Sequence, residues 1–163
     1  MSYFFAAAPL IIGSLIGVLT APSGGRSDWY KSLKKPSWTP PPWVFGPAWT
    51  ILYILMGIAS VPVFNLAVRS GGQNADQARA ARFALGVYIV SLLVNFAWSP
   101  VFFLLRRLEL ALVLIGFLVG LIVWTIYLFA QLGGRSWILL IPYLVWVTYA
   151  MTLNAGIVVK NRF

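Results

Sequence analysis

The chain has 163 residues, 61% hydrophobic and 9% charged, with a mean hydropathy of +0.88. Soluble domains carry about 25% charged residues, so this balance predicts an integral membrane protein, and at roughly 20 residues per span it has room for about five helices and no soluble domain. Cysteine and histidine are absent and the acidic residues are Asp28, Asp76 and Glu109 alone, which excludes a disulfide framework, thiolate or imidazole chemistry and ordinary acid–base or metal catalysis; no cofactor is expected.

Twelve basic residues give a net charge of +9. They stand at the ends of apolar runs and do not gather on one face or tail, so interfacial anchoring is expected and nucleic-acid binding is not.

Residues 1–25 carry no charged side chain, and the run FFAAAPLIIGSLIGVL predicts a first helix over about 3–20. It lacks the basic start and short apolar region of a secretory signal, so the helix is expected to be retained. Gly13 and Gly17 form a GxxxG stripe, which allows a helix to approach closely, inside the bundle or in a second subunit.

A loop over 21–42 follows, rich in Pro36, Pro40, Pro41 and Pro42, with Trp29 and Trp38 and the cations Arg26, Lys31, Lys34 and Lys35. Proline fixes φ and removes a donor, so this segment cannot be a regular helix, and a loop so stiffened loses little further entropy on closing over something. Asp28 has two readings, a ligand contact or a pairing with a loop lysine, of which the pairing is the simpler.

The second helix is predicted over about 45–67, with Pro47 in its first turn and Pro62 as a kink. Trp49, Leu52, Tyr53 and Met56 share one face by their i, i+3, i+4, i+7 spacing. Such a stripe suits core packing or the wall of a ligand site. The polar stretch SGGQNADQARAAR predicts an exposed turn, with Asp76 near a helix start.

A third helix is predicted over about 80–105. It carries Asn95, Trp98 and Ser99 on neighbouring turns, and an asparagine at membrane depth should face a partner inside the protein. Arg106, Arg107 and Glu109 mark an interface, with an Arg106–Glu109 pair at i, i+3 expected to be energetically minor. The fourth helix, about 110–132, is aliphatic, with a second GxxxG at Gly116 and Gly120. The last, about 136–159, places Trp146, Ala150 and Asn154 on one stripe beside Tyr143 and Leu153. A bulky wall, a small gap and a buried amide on one stripe could shape a pocket or admit another helix.

With five spans, Arg26, Lys31, Lys34, Lys35, Arg106, Arg107, Lys160 and Arg162 lie on one side and Arg69, Arg79, Arg82 and Arg135 on the other. The positive-inside rule then puts the first loop and the C-terminus in the cytoplasm.

Three blocks, WYKSLKKPSWTPPPWVFGPAWTILYILMG from Trp29, NFAWSPVFF from Asn95 and PYLVWVTYAMTLN from Pro142, resemble the TspO/MBR family of tryptophan-rich sensory proteins and the mitochondrial translocator protein. With the apolar spans, the likeness covers nearly the whole chain. It implies an all-α bundle of five transmembrane helices, forming one domain over 1–163, multi-pass in a bacterial envelope or the mitochondrial outer membrane, and likeness to this family also implies a homodimer. The implied ligands are flat and hydrophobic: porphyrins such as protoporphyrin IX, sterols, and synthetic benzodiazepine-type molecules. Carried onto matching positions, Trp49, Tyr53, Asn95, Trp98, Trp146, Ala150 and Leu153 would line the cavity, and Trp29, Trp38, Pro40 and Pro41 would belong to its lid. Some bacterial relatives are linked to light- and oxygen-dependent porphyrin breakdown, which here would use Trp49 and Trp146. A small membrane scaffold without a ligand is the remaining alternative. The sequence departs from the animal members in having no tyrosine between Leu153 and Lys160, which a sterol-recognition pattern needs, and in having Leu110 where they have tryptophan.

Overall fold

In lipid, every backbone polar group of an apolar span must be satisfied within the span, so each long apolar run closes into a helix. The computed structural model describes residues 2–25, 27–69 and 75–161. Among them, five helices are long and apolar enough to cross a membrane: α1 (Ser2–Thr20), α3 (Phe45–Ala67), α4 (Ala75–Phe103), α5 (Leu108–Gln131) and α6 (Ile141–Asn161). At 1.5 Å per residue each reaches roughly the ~30 Å of a hydrocarbon core. No strand occurs among the described residues. The chain is thus a multi-pass integral membrane protein with an all-α fold. The expectations for Arg26, Arg162 and the polar turn at 70–74 lie outside the described residues.

The segment over 21–42 is more ordered than its prolines suggest. A 3₁₀ turn occupies Ala21–Ser23, and a short helix α2 spans Asp28–Ser32. The Ser27 hydroxyl caps α2 by accepting from the Tyr30 N–H at 3.2 Å. Helix α4 starts at Ala75, ahead of the expected 80, with Asp76 in its first turn, where a carboxylate complements the helix dipole. It ends at Phe103 because Leu104 and Leu105 both donate to the Pro100 carbonyl, and the chain then turns through Arg106 at φ 55°. The last span opens as a 3₁₀ turn, Ser136–Leu140, before α6.

Around the bundle the order is α1, α3, α6, α5, α4, with α4 also packed on α3. Gly57 makes the closest approach between α1 and α3: a Cβ there would collide with the Ala6 carbonyl oxygen. Gly13 lies under the Tyr53 ring, whereas Gly17 and Gly120 have no neighbouring side chain within 4 Å. The first GxxxG is therefore used inside the chain only at Gly13. Met56, Leu118, Ile122, Phe129, Tyr88 and Tyr143 form the fully buried centre. The Tyr88 hydroxyl donates to the Met56 carbonyl at 3.1 Å, which ties α4 to α3. Ile11, Leu15, Val18, Phe83, Val113 and Phe117 point outward as the lipid-facing surface.

One seam is weaker than the others. Helices α3 and α6 meet little along their length, and the 3₁₀ turn Ser136–Leu140 supplies most of the packing against α3 on that side.

Candidate functional site

Four residues from three helices converge between α3, α4 and α6. Trp49, Asn95, Trp98 and Ala150 line one internal void, completed by Ile115, Leu118 and Val147. The void holds about 10 Å³, room for a single water at most.

Trp49 stacks on Tyr53 at 5.3 Å between ring centroids and meets Tyr143 edge-on at 6.4 Å. Tyr53 in turn touches Phe96 at 5.9 Å and covers Gly13. These contacts follow from the α3 spacing, which turns Trp49, Tyr53 and Met56 the same way. Asn95 donates to the Tyr143 hydroxyl at 2.7 Å, so the amide at membrane depth has the partner its burial requires. The Trp98 indole N–H donates to Asn154 Oδ1 at 3.3 Å, and Asn154 Nδ2 donates to the Leu108 carbonyl at 3.0 Å. Asn154 thereby joins α4, α6 and the start of α5. Trp98 also stacks on Phe102 at 5.1 Å.

Trp146 and Leu153 sit elsewhere. Leu153 is buried one turn beyond Ala150 and is not among the residues lining the void. Trp146 faces the α3–α6 seam, edge-on to Phe45 at 5.8 Å and beside Tyr149 at 5.8 Å. With Ala48, Ile51, Leu52, Pro142, Val145 and Tyr149 it lines an outward-facing groove of about 430 Å³. Its Nε1 is buried and, among the described residues, has no hydrogen-bond partner. A buried donor left unpaired is destabilising, which sets this atom apart from the other buried side-chain polar groups.

The segment 34–38 runs along α6 as a strap. Asn161 accepts from the Lys34 N–H at 3.0 Å and donates to the Lys34 carbonyl at 2.9 Å. Pro36 is buried against Gly156, where any Cβ would strike its ring. The Tyr149 hydroxyl donates to the Trp38 carbonyl at 2.7 Å. Twelve residues of helix separate the first attachment from the last, about 18 Å along the axis. Trp38 is 54% exposed, Pro40 is half-buried and Pro41 is exposed.

Trp29 takes a different place from Trp38. It packs edge-on against Phe102 at 6.0 Å, with the Arg106 guanidinium 5.4 Å above its ring. Tyr30 is buried against Phe102 and Phe103, and burial pushes its phenol above the usual value. The Lys35 ammonium lies 4.7 Å over the Tyr30 ring and donates to the Lys31 and Leu33 carbonyls. Desolvation lowers its pKa. Lys31 pairs with Asp28 at 3.6 Å, both side chains exposed.

Sequence reasoning singled out the tryptophans and Asn95 because such residues need a reason to stand mid-membrane. It missed Ile115, Leu118 and Val147, which are ordinary aliphatics with no distinguishing signal. Tyr149 and Asn161 were equally invisible as strap contacts, since each meets a residue more than a hundred positions away.

The family model described as TspO/MBR family matches residues 5–160. Among curated proteins, "Protein CrtK" of Rhodobacter capsulatus is 39% identical over 134 residues, covering 79% of this chain and 76% of that protein. The "Translocator protein homolog" of Schizosaccharomyces pombe is 39% identical over 153 residues, 94% of this chain and 87% of its own length. The "Translocator protein" of Homo sapiens is 39% identical over 126 residues, 77% and 70% of the two chains.

Proposed function

We propose, from the premise that this chain belongs to the TspO/MBR family, that it is a membrane receptor or carrier for flat hydrophobic ligands, with a tetrapyrrole such as protoporphyrin IX as the best-suited class. The observation that carries this reading is the meeting of Trp49, Asn95, Trp98 and Ala150 at one void, beside a groove rimmed by Trp146.

A void of about 10 Å³ cannot hold a macrocycle, so binding requires that the bundle open. The α3–α6 seam is the place to open, because it is the least packed and already carries a groove of about 430 Å³. That volume falls within the 300–1,000 Å³ typical of small-molecule sites. A flat ligand entering from the bilayer would slide between Trp146 and Trp49, trading ring–ring contacts within the protein for indole–ligand stacking. The unpaired Trp146 N–H would gain an acceptor on the ligand. Acidic ligand groups would meet Lys31 and Lys34 at the loop-side rim, where both side chains are exposed. Sterols and benzodiazepine-type molecules suit the same apolar groove, and the working unit in this reading is a homodimer.

Titration of the reconstituted protein with protoporphyrin IX tests this. Trp49→Phe and Trp146→Phe are expected each to weaken protoporphyrin-induced quenching of tryptophan fluorescence, with Trp43→Phe, at an exposed position, as the control. Quenching and affinity equal to the parent in both cavity variants would overturn the reading. Competition by haem and by cholesterol then ranks the ligand classes.

A further inference from the structure

Among the described residues, basic side chains of the loop side gather around α2. Arg106 stands on the Trp29 ring and Lys35 on the adjacent Tyr30 ring. The clamp between Lys34 and Asn161 brings the end of α6, with exposed Lys160, to the same rim. Arg107 follows Arg106 and is exposed. Two acidic residues, Asp28 and Glu109, are the only counter-charges that the sequence offers there, and Asp28 is engaged by Lys31.

We propose that this rim is a binding site for an anionic phospholipid, with the lipid phosphate held between Arg106 and Lys35 and the acyl chains lying on the outer side of α4. Three features carry this. First, both cations are held over aromatic rings, and Lys35 also by the Lys31 and Leu33 carbonyls, so less side-chain entropy remains to be lost when an anion arrives; the Arg106 guanidinium brings several N–H donors suited to phosphate oxygens. Second, Lys35 is separated from Trp98 at the internal void by the rings of Tyr30 and Phe102, which makes it a poor partner for a ligand in the bundle and a good one for a headgroup at the surface. Third, Leu104 and Leu105, exposed at 48% and 63% directly before Arg106, give the lipid chains an apolar seat below the phosphate. Charge complementarity and an adjoining apolar surface are together the chemistry of a phospholipid, whereas a soluble phosphate would use only the first.

Native mass spectrometry of the protein released from micelles containing phosphatidylglycerol and phosphatidylcholine reads this out as bound lipid. Each basic side chain near an anionic surface is worth about five-fold in affinity, so Arg106→Gln with Lys35→Gln is expected to lower phosphatidylglycerol retention roughly twenty-five-fold and to leave phosphatidylcholine adducts unchanged. Arg79→Gln with Arg82→Gln, the same charge change on the opposite rim, is expected to leave retention near the parent level. Equal losses in both pairs would mean that net charge alone attracts the lipid, and unchanged retention in the first pair would mean that the rim holds none; either overturns the proposal. So would displacement of the lipid by millimolar inorganic phosphate. Circular dichroism of each pair, with half-buried Lys35 the position to watch, checks that the helices remain intact.

Discussion

Removing one oxygen, in Tyr149→Phe, tests whether the strap is held by discrete attachments. The hydroxyl donates to the Trp38 carbonyl at 2.7 Å, and the ring itself packs beside Trp146 and lines the groove, so phenylalanine keeps the packing and loses only the bond. A hydrogen bond of this kind contributes about 1 kcal/mol net, which is roughly a five-fold change in the local opening equilibrium. The Asn161–Lys34 pair and the contact of Pro36 with Gly156 are untouched, so the release should be confined to the lower end of the strap. Hydrogen exchange is the assay: the Thr39 amide, which donates to the Pro36 carbonyl at 3.2 Å, is expected to exchange about five-fold faster, with the core of α6 unchanged. If protection at Thr39 is unaltered, the bond does not hold the strap. If exchange rises through the whole of α6, the hydroxyl supports the helix and the strap is not a separate unit. Should the strap act as the lid that the family resemblance implies, protoporphyrin association quickens by the same factor.

Gly57→Ala drives a methyl into the Ala6 carbonyl, and overpacking of this kind is expected to lower stability by about 1–3 kcal/mol, whereas Gly17→Ala meets nothing and should be neutral or mildly stabilising; thermal unfolding in micelles compares the two. Asn154→Leu leaves the Trp98 N–H and the Leu108 carbonyl without their partner at a cost of about 1–2 kcal/mol, and faster exchange at the start of α5 should accompany the lower melting temperature. An unchanged melting temperature there would mean that the amide bridge contributes nothing to the junction of α4, α5 and α6.

The sequence by itself determined the number of spans, because a run of apolar side chains in lipid has no alternative to a helix that satisfies its own backbone. It also marked Trp49, Tyr53, Asn95, Trp98, Trp146 and Ala150, since tryptophan, an amide or a small gap on a helix face each imply a neighbour. Which neighbour was a matter for the tertiary structure. Periodicity places a residue on a face but does not say which helix that face meets, and so it could not separate Trp49 at the inner void from Trp146 at the outer groove. The glycine motifs were legible as small, yet Gly57, outside any GxxxG, makes the closest helix contact while Gly17 makes none, because the crossing point is set by how two helices lean together. The proline-rich loop was legible as stiff. That it runs along α6, pinned by Tyr149 and Asn161 at positions more than a hundred residues away, depended on the bundle first bringing those two side chains to one face.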